Sequence, residues 1–132
     1  MRIGVDLHGF MDSYVPILKP ILIFMKERLG VKIYVLSGPE KHQIFHELND
    51  LGYIWKVHYD EIFSIVDFLK DSKDPDLHRD KNGHWWTTDL KWFSSKAKFC
   101  KKEKIEVVFD DKIEYQSFME DMVFYRIEKE KK

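Results

Sequence analysis

Arg2-Ile3-Gly4-Val5-Asp6-Leu7-His8-Gly9-Phe10 is a short apolar run that delivers one carboxylate and, three residues later, a glycine. Such a run reads as a strand buried on both faces, the habit of parallel sheets. At its carboxyl end the chain must turn sharply, which Gly9 permits. Asp6 then stands where open α/β sheets bind ligands, just beyond the carboxyl ends of the strands. A carboxylate placed there can act as a nucleophile or hold a metal ion. Strand-Asp-x-x-Gly is also an ordinary turn, so the reading depends on the elements that follow.

Working outward, Met11 to Val15 reads as an irregular excursion ending before Pro16. Leu18, Ile21, Leu22, Met25 and Leu29 then recur on one helical face, with Pro20 distorting the first turns or marking the true start, and Gly30 as the cap. Val31 to Leu36 is a second strand, ending at Ser37-Gly38-Pro39. A helix opens there with Ile44, Phe45, Leu48 and Leu51 as its buried face and Gly52 as its stop. Strand, helix, strand, helix is the pattern of a parallel sheet with right-handed crossovers. The third strand is either Ile54–Val57 or Glu61–Phe63, and the latter stretch can equally begin a short helix through Leu69. Asp71 to Asn82 is a polar loop, expected to be superficial and mobile. A helix lies within Thr87–Glu103, where Leu90, Phe93, Ala97 and Cys100 share one face. Ile105 to Phe109 is a strand ending in Asp110-Asp111; a short helix, Ile113–Glu120, and a last strand, Met122–Ile127, follow. Glu128 to Lys132 is a solvated charged tail.

With 132 residues, one domain spanning the whole chain is expected. A net charge of -1 supplies no global field for nucleic acid or an anionic membrane. A single cysteine, Cys100, excludes an intramolecular disulfide and suits a reducing compartment. The N-terminus does not read as a signal peptide, and the most apolar window, Val15 to Met25, is too short to span a bilayer and carries Lys19. A cytoplasmic globular protein is the expectation. The histidines show no zinc-type spacing with cysteine.

Three strands end in polar residues: Asp6, Ser37 and the pair Asp110-Asp111. In a parallel sheet those ends share one edge, so residues remote in sequence converge. Carboxylates from separate strands can share Mg²⁺, which favours oxygen ligands and keeps waters that a phosphate can replace. Ser37 offers a hydroxyl, and the backbone N–H groups near Gly38 a phosphate cradle at a helix start. Lys96, near the start of its helix if Ser94 or Ser95 caps it, would neutralise charge between a nucleophilic carboxylate and a phosphoryl group; Lys91 and Lys98 compete for that role.

This arrangement resembles the haloacid dehalogenase (HAD) superfamily. That family places an Asp-x-Asp motif after strand one, a Ser or Thr after strand two, a Lys before strand four and an acidic pair at the end of that strand. Here these positions fall on Asp6, Ser37, Lys96 and Asp110-Asp111, in order across nearly the whole chain. The chain looks like small, minimally capped phage or bacterial members, with nucleotide phosphatases among the relatives. The resemblance implies a Rossmann-like three-layer fold with a mostly parallel sheet of about five strands and no large cap. It also implies Mg²⁺-dependent phosphomonoester hydrolysis through an aspartyl-phosphate on Asp6. Asp6, His8, Ser37 and Lys96 would be the catalytic residues. Asp6, the backbone carbonyl of His8 and Asp110 or Asp111 would hold the metal, with the spacing favouring Asp111.

One position departs from the pattern. The family's second Asp, which protonates the leaving group and later activates water, is His8 here. An imidazole can donate and accept a proton near neutral pH, so two readings stay open: an active phosphatase, or an impaired homologue that binds phosphate or a partner. A nearly uncapped site suits large or polymeric substrates such as nucleic-acid ends or phosphoproteins, and a small phosphorylated substrate such as a nucleotide is the other expected partner. The polar loop with Trp85 and Trp86 (71–86) is a candidate small lid, and a second copy of the chain is another way to close the site. Trp85, Trp86 and Trp92 otherwise read as packing residues.

Overall fold

Apolar side chains on both faces make β1 (Arg2–Asp6) the central strand of a parallel sheet, and all its residues after Arg2 are buried. The computed structural model describes residues 1–128, so of the charged tail expected from Glu128 onward all but Glu128 lies outside the described residues. A tight helical turn, Leu7–Met11, follows β1 and leads into α1 (Val15–Leu29). Next come β2 (Lys32–Ser37), α2 (Lys41–Asp50), β3 (Glu61–Ser64), α3 (Ile65–Asp71), β4 (His78–Arg79) and β5 (Trp85–Trp86). The chain closes with α4 (Asp89–Lys102), β6 (Val107–Asp110), a 3₁₀ turn (Ile113–Phe118) and β7 (Val123–Arg126). Five strands form one sheet in the order β3-β2-β1-β6-β7, every pair parallel. The architecture is α/β and Rossmann-like.

Alternation along the strands builds two cores. Ile3, Val5, Ile33 and Val35 face Leu18 and Leu22 of α1 and Ile44 and Leu48 of α2. Tyr34, Leu36, Phe63 and Val108 face the other way, onto Ile65 and Leu69 of α3, Ala97 and Cys100 of α4, and Tyr115. Helices thus cover both faces, which is why the strands read as apolar runs rather than as alternating ones.

Several local expectations change. Ile21 and Leu29 on α1, Phe45 on α2 and Leu90 on α4 are exposed, because each helix buries a narrower stripe than its apolar residues describe. α1 starts at Val15 with Pro16 in its first turn and continues through Pro20; the proline forfeits one backbone hydrogen bond there. Glu61–Ser64, not Ile54–Val57, is the third strand, and α3 follows it directly. The segment read as a loose polar loop is tied down. β4 and β5 pair antiparallel, and Lys91 bonds both Asp74 (2.5 Å) and Asp76 (2.6 Å). Among the described residues no helix is long and apolar enough to cross a membrane.

Candidate functional site

β1 and β6 are adjacent, with Val5 opposite Phe109, so Asp6 and Asp110 emerge side by side at the carboxyl edge. β2 lies on the other flank of β1, with Asp6 opposite Leu36, and brings Ser37 to the same edge. The turn after β1 shapes the opening. Asp12 closes it, accepting from the Gly9 N–H through Oδ1 (2.8 Å) and donating its own N–H to the Leu7 carbonyl (3.0 Å). Gly9 has φ 100°, and a Cβ there would lie 2.2 Å from Asp111 Oδ2. Glycine is therefore required twice over, for the backbone and for the close approach of Asp111. Gly38 has a similar duty, since a Cβ on it would lie 2.7 Å from the Trp92 ring.

Asp6, His8, Ser37, Lys96, Asp110 and Asp111 all line one cavity of about 150 Å³, with Trp92, Tyr115, Pro39 and Lys112 completing its walls. Lys96 is the hub. Its ammonium donates to Asp6 Oδ1 at 3.2 Å and Asp110 Oδ2 at 2.7 Å, and lies 4.1 Å from the centre of the Tyr115 ring. Its side chain is 2% exposed. Lys96 sits mid-helix, because Thr88 rather than Ser94 or Ser95 caps α4; Ser95 instead donates back to the Lys91 carbonyl. Lys98 is exposed and Lys91 serves the hairpin, so of the three candidate lysines on α4 it is Lys96 that enters this cavity.

The electrostatics are unbalanced. Asp6, Asp110 and Asp111 can bring carboxylate oxygens within 4.8 Å of one another. Burial pushes the Asp6 carboxyl up to about 8; Lys96 pulls it down, while Asp110 and Asp111 add to the rise. Burial disfavours the Lys96 ammonium too, but Asp6, Tyr115 and Asp110 outweigh that and hold it above its ordinary value. Lys96 is therefore charged, and its one ammonium stands among three carboxyl groups. A divalent cation is the natural complement of that donor set: hard oxygen ligands with a surplus of negative charge. Asp110 is already engaged at both oxygens, by Lys96 and by the Lys112 N–H (3.0 Å).

His8 sits at the rim with its ring held from both sides. Nε2 lies 2.6 Å from Glu47 Oε2 on α2, and Nδ1 lies 3.3 Å from Ser37 Oγ. Glu47 is a residue that sequence reasoning missed, as are the wall residues Tyr115 and Lys112. Nothing in the order of residues pairs position 8 with position 47; only the packing of α2 beside the turn does. The indole pair lies outside the cavity lining, where Trp92 stands instead. Trp85 donates to Glu40 (3.1 Å) beneath Lys70 and Arg79, and Trp86 donates to Asp80 (2.7 Å). α2 opens at Lys41, four residues after Ser37, with Glu40 as its N-cap residue. Cys100 is buried in the second core, and burial pushes its thiol up to about 12, so it is not a reactive group. No protein-family model matches the chain, and no curated protein matches it.

Proposed function

We propose that the chain is a Mg²⁺-dependent phosphomonoester hydrolase of the haloacid dehalogenase type, with Asp6 as its nucleophile. The observation that carries this reading is the convergence of three carboxylates with a buried lysine beside Ser37, on the ligand-binding edge of a parallel sheet. In this reading Asp6 attacks phosphorus as its carboxylate, the form that a bound cation would favour at neutral pH, and the bond to the leaving oxygen breaks; water then attacks the aspartyl-phosphate and returns Asp6 and orthophosphate. Ser37 and Lys96 hold the phosphoryl oxygens, Lys96 by charge and Ser37 by its hydroxyl. Asp110 anchors Lys96. Asp6, Asp111 and the His8 carbonyl would hold the cation, which when bound neutralises charge on the phosphoryl group.

A cavity of about 150 Å³ takes a phosphoryl group and little more. The remainder of the substrate stays at the mouth, so nucleotides and nucleic-acid ends fit this reading alike. The second reading, a phosphate-binding protein without turnover, is favoured by His8 at the position where the family has an acid. Two variants separate them. Asp6→Asn should abolish hydrolysis across a panel of phosphorylated compounds with Mg²⁺ while leaving the circular dichroism spectrum unchanged; turnover by that folded variant removes Asp6 as nucleophile. His8→Ala should slow turnover by about 10²–10⁴-fold. A wild type without activity, converted to a phosphatase by His8→Asp alone, establishes the second reading instead.

A further inference from the structure

α1 carries two apolar stripes, and the single chain uses one of them. Leu18, Leu22 and Met25 pack into the first core, while Ile17, Ile21 and Phe24, spaced i, i+4, i+7 along a neighbouring stripe, are 45–60% exposed. Beside that ridge the same face of the sheet is left open at β6 and β7. Phe10 stacks on Phe109 and Phe109 on Tyr125, which is half-exposed together with Val123. Between the ridge and the strands lies a groove of about 380 Å³, walled by Tyr14, Ile17, Ile21, Phe109 and Ile127. No charged side chain lines it, and its one hydroxyl, on Tyr14, already donates to the Glu128 carbonyl at 2.9 Å.

The size, shape and charge of this face all fit one occupant. Five half-exposed side chains, with the groove between them, present on the order of 600 Å². That is the upper end of what a monomer leaves uncovered, and most of the roughly 800 Å² per partner that a standard interface buries. A ridge and a groove lie side by side, so the face is complementary to itself: about a two-fold axis, the ridge of each copy enters the groove of the other. Because the groove holds no charge, doubling it sets no like charges against each other, whereas a charged peptide or a nucleic acid finds no counter-charge there.

We propose that the α1 ridge and the groove beside it form a homodimer interface, covered by the same face of a second copy of the chain. No residue of the groove lines the cavity around Asp6, so the second copy leaves the mouth of that cavity open. Phe10 belongs to the turn that carries His8 and Gly9, and Phe109 directly precedes Asp110, so the interface backs the site instead of closing it. Association by this face holds whether or not Asp6 turns over phosphate esters.

The test is sedimentation velocity of the full chain across the micromolar range. The wild type should approach twice the 16.0 kDa of one chain, and its melting temperature should climb with protein concentration. Phe24→Glu should weaken association by about 10²-fold or more, with an unchanged circular dichroism spectrum because Phe24 is exposed in the single copy. Should that variant unfold, Ile17→Lys puts a charge on the same ridge and should give the same loss. Trp55→Glu alters an exposed indole beside β3, at the opposite edge of the sheet, and should remain a dimer. A wild type that stays at 16.0 kDa with a concentration-independent melting temperature overturns the proposal; flotation of that monomer with neutral phospholipid vesicles would assign the face to lipid instead. A dimer that survives both ridge variants, or that Trp55→Glu breaks equally, overturns it as well and moves the interface elsewhere.

Discussion

Lys91 and Lys96 stand on the same helix, and each bridges two aspartates. Lys91 reaches Asp74 and Asp76 at 2.5 and 2.6 Å with its side chain 35% exposed; Lys96 reaches Asp6 and Asp110 at 3.2 and 2.7 Å with 2% exposed. The outcome for the acids is opposite. Hydrogen bonds from Lys91 and Thr87 hold the Asp74 carboxyl below its usual range, whereas burial carries Asp6 far above it despite Lys96. The same ion-pair chemistry fastens a hairpin through a partly exposed lysine and, around a buried one, leaves more carboxyl groups than cations. The difference teaches that contact distance does not decide what a pair is for; the exposure of its lysine and the other carboxyl groups crowded beside it do.

The largest effect should come from breaking the inner bridge. Lys96→Met leaves Asp6 and Asp110 buried without their cation, and we expect a loss of about 3–5 kcal/mol in denaturant unfolding. Turnover should vanish with it.

Next in size is the pH response, which separates the two clusters by sign. Between about pH 4 and 8 the unfolded Asp6 is ionised, while the folded one, at about 8, keeps its proton. The folded state then binds more protons, so this group's contribution falls as pH rises through that window and levels off above it. Asp74 acts the other way: its lowered value contributes stability that is present above the ordinary carboxylate range and is lost on acidification. Without divalent cation the melting temperature should therefore fall from pH 5 to 8. Mg²⁺ should restore it most at the alkaline end, where the carboxylates are free to bind it. Asp6→Asn should flatten the slope, and a wild-type slope of zero contradicts the assignment.

A smaller effect tests the floor from its turn. Gly9→Ala forces a side chain into a φ of 100° against Asp111. We expect about 1–3 kcal/mol of destabilisation and, by titration calorimetry, loss of Mg²⁺ binding. Asp111→Ala should lose the binding while keeping the melting temperature of the metal-free protein. The smallest effect belongs to the outer bridge. Lys91→Met should loosen the hairpin, seen as faster amide exchange at Trp85 and Trp86, with a loss of global stability well below that of Lys96→Met. Equal losses would erase the distinction between the two lysines.

Much of the frame was legible in the chain itself. Apolar runs ending in Asp6, Ser37 and Asp110 identify strands buried on both faces, and parallel strands put their carboxyl ends on one edge whatever the details between them. Helical faces were legible only in part, since Ile21, Phe45 and Leu90 keep the period of a buried stripe and yet face solvent. Periodicity reports which side of a helix is apolar, not how much of that side a neighbour covers. The hairpin is not legible in the sequence, because two-residue strands carry too little pattern to register and its fastenings are single polar contacts across more than ten residues.

By itself, then, the order of residues determined that one acid, one hydroxyl and an acidic pair would share one sheet edge, because strand polarity alone puts them there; the strand order β2-β1-β6 decided that they meet. Tertiary structure decided which lysine joins them, since only the facing of α4 toward the sheet buries Lys96 and leaves Lys98 in water. It also decided that His8 is held by Glu47, a contact between residues 39 apart that no local rule anticipates. The charge imbalance at Asp6 has the same origin. A carboxyl acquires its proton affinity from what surrounds it, and the surroundings exist only once the sheet and α4 have closed over it.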